Sequence, residues 1–238
     1  MTALLAFDTA TEQMSLGVRA NGRTWTHEAP GGAQASAMLI PALLALLAQA
    51  GLRLADLDAI AFGRGPGAFT GLRTACSVAQ GLAFGAAKPV LPIDTLLALA
   101  EDSRAGAAQW RVWALLDARM DEIYAAQYDY AAGQWTVLDA PLLTRPEALN
   151  ERWQSEPPQV VAGNALAVFG ARLQPGSVPQ FVTARPSATA LLSLAEAMWA
   201  DGAAVDAALA LPLYVRDKVA QTTLERDAAR AARLEAIS

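Results

Sequence analysis

The feature that most constrains the fold of this chain is an internal repeat. Residues 3–7 form an apolar run that ends at Asp8, followed by a polar turn over 9–13 and strand-like runs over 14–20 and 23–29. Residues 111–116 repeat the plan: the run ends at Asp117, a polar turn covers 118–121, and strand-like runs follow over 122–130 and 135–143. Short apolar or alternating runs bounded by turn residues predict strands. Each half therefore opens with a three-stranded meander.

The first half continues with a helix over 36–51, a strand over 59–62, a second helix behind a glycine-rich turn and a strand over 89–93, the order βββαβαβ. The second half continues with a helix over 146–154, a strand over 159–162 closed by Gly163, and a long helix over 187–202 begun by serine and ended by glycine. The polar stretch 103–109 reads as the boundary between lobes. The expected organisation is an N-terminal lobe over 1–104, a C-terminal lobe over 105–216 and a polar tail over 217–238 that packs as a marginal helix.

Length and composition fit two small cores: the chain has 238 residues, 54% of them hydrophobic with a heavy share of alanine, and 17% charged. The formal net charge of −5 argues against a protein that grips nucleic acid by itself, because phosphate binding draws on clustered Lys and Arg. A single cysteine, Cys76, excludes an intramolecular disulfide and reads as a small core residue in a cytoplasmic protein. The N-terminus lacks a basic leader, and no apolar run approaches the roughly 20 residues that span a bilayer, so no membrane association is expected.

The segment GRGPGAFTGLRTACSVAQGLAFGAA, residues 63–87, has glycine at 63, 65, 67 and 71 and then turns helical. Such a loop either cradles phosphate, with Gly65, Gly67 and Thr70 as candidates, or forms a tight turn ahead of a closely packed helix. A dinucleotide fingerprint fits poorly. Pro66 removes a backbone donor, Thr70 takes the third glycine's place, and about 60 residues of other structure precede the motif. No Lys-Ser/Thr pair follows for a Walker loop. A metallopeptidase would commonly need paired histidines, and His27, in a strand-like run, is the sole one.

AFDTATEQMSLGV, GRGPGAFTGLRTACSVAQGLAFG, LLDARMDEIYAAQY and PLYVRDKVA, in that order, are similar to the TsaB (YeaZ) family. The doubled plan resembles the wider actin, sugar-kinase and chaperone ATPase superfamily, whose lobes close on nucleotide. The resemblance implies a two-lobed α/β fold with duplicated βββαβαβα lobes. It also implies a non-catalytic subunit for forming N6-threonylcarbamoyladenosine (t6A) at adenosine 37 of tRNA. The implied partners are a TsaD homologue, which performs the transfer, and the ATPase TsaE. A homodimer is implied in isolation, and contact with tRNA only indirectly.

In that superfamily the two hairpin turns approach the phosphates, which calls for glycines there. Here the turns read Asp8-Thr9-Ala10-Thr11 and Asp117-Ala118-Arg119-Met120, and Val161-Ala162-Gly163-Asn164 lacks the doubled glycine of an adenosine-binding turn. Asp8 and Asp117 are the remaining candidates for metal or nucleotide, with capping of their own turns as the competing role. No cofactor of its own is expected, and nucleotide only at an interface shared with a partner. An actin-like ATPase or phosphotransferase, and then a metallopeptidase, are the alternative readings.

The helix over 36–51 carries Met38, Leu39, Ile40, Leu43, Leu44, Leu46 and Leu47, more apolar directions than one core face accepts. Met38, Leu39, Leu43, Leu46 and Leu47 are its expected partner contacts. On the following helix Ser77, Gly81 and Gly85 recur every four residues, where another backbone can approach closely. Arg73, Ser77, Gln80, Gly81, Phe84 and Gly85 complete the expected interface.

Overall fold

The computed structural model describes residues 2–32 and 35–216. The marginal helix expected over 217–238 therefore lies outside the described residues. Two five-stranded sheets share one topology. Strands β1 (Leu4–Asp8), β2 (Gln13–Ala20), β3 (Arg23–Pro30), β4 (Ala59–Gly65) and β5 (Val90–Asp94) lie in the order β3-β2-β1-β4-β5. Strands β6 (Trp110–Arg119), β7 (Glu122–Ala131), β8 (Gln134–Thr144), β9 (Val161–Ala162) and β10 (Gln180–Phe181) lie in the order β10-β9-β6-β7-β8. Strand for strand the two orders are the same, so the repeat read in the sequence is a repeat of architecture. The protein is a two-lobed α/β fold built on two copies of one mixed sheet.

Strand periodicity decides the layers, because successive side chains leave a strand on opposite faces. From β1, Leu5 and Phe7 join a core with α1 (Ala35–Gln49) and α2 (Phe69–Ala86), while Leu4 and Ala6 face α6 (Ala188–Ala200). From β6, Val112, Ala114 and Leu116 pack with α3 (Thr95–Arg104), while Trp113 and Leu115 pack with α4 (Pro146–Ser155) and α5 (Ala165–Phe169). Pro41 does not break α1. It sits on the exposed side, where water can satisfy the carbonyl it leaves without a donor.

Two features depart from the sequence reading. The stretch after β5 carries the helix α3, the closing helix of the implied βββαβαβα lobe, which residue periodicity alone does not mark. It is buried nearly all round because Ala98 faces the first sheet and Leu96, Leu99 and Ala100 face the second, so no polar stripe marks it. The helix assigned to the C-terminal lobe, α6, lies on the first sheet against β1 and on α3. Its serine cap holds: Ser187 Oγ accepts from Ala190 N at 3.2 Å. Ala188 N also donates to the buried Ser15 Oγ of β2 at 2.7 Å, which pins the helix start to the first lobe. No helix among the described residues is long and apolar enough to cross a membrane.

Candidate functional site

The β1–β2 turn, the loop after β4, the β6–β7 turn and residues 213–216 enclose a cavity of about 360 Å³ between the lobes. At its first-lobe wall, Asp8 Oδ1 accepts from Ala10 N at 2.6 Å and Oδ2 accepts from Thr95 Oγ1 at 2.7 Å. Burial pushes the Asp8 carboxyl up to about 6, against these two hydrogen bonds, which favour the anion. Asp8 is thus spent on its own turn and on the start of α3, and does not line the cavity.

The glycines beside it serve close approach. A Cβ on Gly71 would come within 1.9 Å of Thr9 O, one on Gly67 within 2.5 Å of Ala10 O, and one on Gly63 within 1.7 Å of Asp8 Oδ2. Ala68 N donates to Ala10 O at 2.8 Å and Thr9 Oγ1 to Gly71 O at 2.7 Å, so loop and turn are laced together. Of the phosphate-loop candidates Gly67 lines the cavity, while Gly65 is packed beneath Leu213 O and Leu72, and Thr70 lies outside on the exposed side of α2.

At the second-lobe wall, Arg119, Met120 and Asp121 have φ of 61°, 55° and 64°, three successive left-handed residues without a glycine. Each costs about 1–2 kcal/mol, and the surrounding bonds hold them. Asp117 Oδ1 accepts from Arg119 N at 2.9 Å, Asn164 Oδ1 accepts from Asp117 N at 2.9 Å, and Arg172 pairs with Asp121. Arg119 also pairs with Glu12 of the first lobe. Arg119 and Met120 of this turn line the cavity.

Residues 211–216 cross from one lobe to the other. Leu213 N donates to Arg64 O at 2.7 Å, Tyr214 packs on Phe69 at 5.5 Å between ring centroids, and Val215 joins the second core. Arg216 donates to Ala118 O at 2.9 Å and pairs with Glu122 at 2.8 Å. The segment PLYVR, for which sequence reasoning offered no role, is a strap across the cleft.

Outside the cleft, α1 and α2 share an exposed face. Met38, Ile40, Leu44 and Phe84 are 42%, 42%, 46% and 62% exposed. Ser77, Gly81 and Gly85 are exposed beside them, and a Cβ on Gly81 or Gly85 would meet nothing within 4 Å. The small residues therefore look outward and not onto their own sheet. Arg73 is the only charged residue in the two helices.

The family model described as TsaD: tRNA N6-adenosine threonylcarbamoyltransferase matches residues 23–223. The tRNA threonylcarbamoyladenosine biosynthesis protein TsaB of Escherichia coli (strain K12) is 33% identical over 226 residues, covering 91% of this chain and 96% of that protein. The chain belongs to the TsaB family. The TsaB protein of Haemophilus influenzae is 34% identical over 91% of this chain and 94% of its own length. The solved structure of YeaZ from Pseudomonas aeruginosa shares 38% identity and a TM-score of 0.81, covering 90% of this chain and 100% of that one.

In this TsaB-family chain the expected interface needs correcting on α1. Leu39, Leu43, Leu46 and Leu47 are at most 2% exposed and belong to the first core, so they face inward. The large apolar side chains of α1 that are exposed are Met38, Ile40 and Leu44. The correction follows from helical geometry, since positions 39, 43, 46 and 47 share one side of α1. On α2 Arg73, Ser77, Gly81, Phe84 and Gly85 are exposed and Gln80 is half-buried. His27 is exposed on β3, opposite Leu16. Cys76 is in the core, where burial pushes its thiol up to about 11.

Proposed function

We propose that this protein acts in tRNA threonylcarbamoyladenosine biosynthesis as a non-catalytic subunit that docks a TsaD homologue through the α1–α2 face, with TsaE joining the pair. The observation that carries this reading is that Met38, Ile40, Leu44 and Phe84 are exposed, together with the small residues Ser77, Gly81 and Gly85, on two helices with a single charge. Exposed large apolar side chains in such number on two adjacent helices mark an interaction site. The non-catalytic assignment is supported by the cleft, where Asp8 and Asp117 hold their own turns and the large side chains of Arg119 and Met120 line the cavity. Under this reading the subunit brings no cofactor of its own, works in the cytoplasm, and pairs with itself when its partner is missing.

The test is Gly81→Leu. Open space around Gly81 predicts a folded variant with a near-normal Tm. The new side chain should block association with the TsaD homologue, and t6A formation should fall in a reconstituted reaction in which each subunit is also omitted in turn. Normal pairing by the folded variant rejects the docking face. ATP turnover by the isolated chain that disappears in Asp8→Ala would reject the non-catalytic assignment.

A further inference from the structure

Arg73 stands at one end of the α1–α2 face. It shares a four-residue spacing with Ser77, Gly81 and Gly85, which puts the far end of the row about 18 Å away along α2. Its guanidinium lies over the Phe69 ring at 3.7 Å from the centroid, and its Nε donates to Tyr214 OH at 3.1 Å. Both partners are neutral, and the Tyr214 ring packs in turn on Phe69. Arg119 and Arg216 at the cleft, and Arg64 and Arg104 elsewhere, each hold a carboxylate. Arg73 meets none among the described residues.

We propose that the Arg73–Phe69–Tyr214 stack is a specificity anchor that receives a carboxylate from the docking partner, presented at the end of an apolar helix laid across α1 and α2. The proposal rests on the docking reading above and adds the chemistry of its polar contact. A guanidinium fixed by stacking and by a bond at Nε presents its two terminal nitrogens as a preformed fork, which matches a carboxylate in two-point contact. Charge complementarity selects an acidic group, because α1 and α2 offer a partner one cation and no anion. The strap explains why the fork is ready before binding. Tyr214 is carried by a segment anchored to Arg64 O on one side and to Ala118 O on the other, so the side chain is held without help from the partner.

The test compares binding of the full-length chain to the purified TsaD homologue of the same organism for wild type, Arg73→Ala, Arg73→Lys and Leu44→Glu, with Tm measured for each. The expected result is an unchanged Tm and an affinity about 30-fold or more weaker for Arg73→Ala. Arg73→Lys should recover only part, since an ammonium keeps the charge and loses the fork. Wild-type affinity should fall with added salt more steeply than that of Arg73→Ala. If Leu44→Glu abolishes binding and Arg73→Ala binds like wild type, the anchor is wrong and the docking face stands. If Leu44→Glu also binds like wild type, the docking face itself is wrong and the anchor goes with it. An Arg73→Ala defect confined to self-association, or to retention of tRNA, overturns the proposal in favour of a second copy or a phosphate.

Discussion

Glu101 on α3 accepts the indole N–H of Trp135 on β8 at 2.9 Å. The same carboxylate accepts from Ser193 Oγ of α6 at 3.0 Å and from two nitrogens of Arg104 at 2.9 and 2.7 Å. One nearly buried acid thus joins a helix on the first sheet, a strand of the second sheet and the helix between them. Burial alone would raise its pKa, but the bonds from Arg104, Trp135 and Ser193, with the Arg104 charge, hold it below the ordinary glutamate value of 4.5.

Removing that acid should loosen the join between the lobes. Glu101→Ala leaves Arg104 without its partner and should cost about 3–5 kcal/mol. Glu101→Gln keeps an acceptor for Trp135 and should cost less. Urea denaturation followed by tryptophan fluorescence orders the two. Equal stability of Glu101→Ala and wild type would show that this carboxylate does not contribute to the join.

Asp8 predicts a pH dependence of the opposite kind. Its folded pKa, about 6, lies above the ordinary value of 3.8, so folding takes up a proton between those values. The stability this provides is fully present below 3.8 and is lost as pH rises through about 6, on the order of 3 kcal/mol in all. Glu101, with a depressed pKa, loses its contribution as pH falls. The Asp8 part is isolated by the difference between wild type and Asp8→Asn. The stability of wild type relative to Asp8→Asn should decline from pH 4 to pH 7, and a constant difference would contradict the assignment.

Two glycines of one helix should respond oppositely to alanine. At Gly71 the new methyl would overlap Thr9 O at 1.9 Å, so Gly71→Ala should cost about 3 kcal/mol or more. At Gly81 it meets nothing within 4 Å, so Gly81→Ala should gain about 0.5–1 kcal/mol from helix propensity. Thermal denaturation of the pair decides it.

Arg216→Ala should release the strap from the β6–β7 turn. The lost bond to Ala118 O and the pair with Glu122 should cost about 1.5–3 kcal/mol. Amide exchange should quicken at Arg119, Met120 and Asp121, whose left-handed backbone these contacts hold. Unchanged protection there would show that Asp117 and Arg172 suffice.

The sequence by itself determined the repeat, because a strand's side chains alternate and its ends need turn residues, both local properties of the chain. It also determined that the hairpin turns lack the glycines of a phosphate site, and that α1 is apolar on more sides than one core can use. Only the tertiary structure decided which side of α1 is spare: Leu39, Leu43, Leu46 and Leu47 pair with the first sheet, while Ile40 and Leu44 do not. It likewise decided that α3 exists between two sheets and that α6 returns to the first lobe, since a helix buried on both sides carries no polar stripe to announce it. The glycines of residues 63–71 were visible as a motif. Their purpose was not, because what excludes a Cβ at Gly63, Gly67 and Gly71 is the side chain of Asp8 and the backbone of Ala10 and Thr9, more than fifty residues away in the chain.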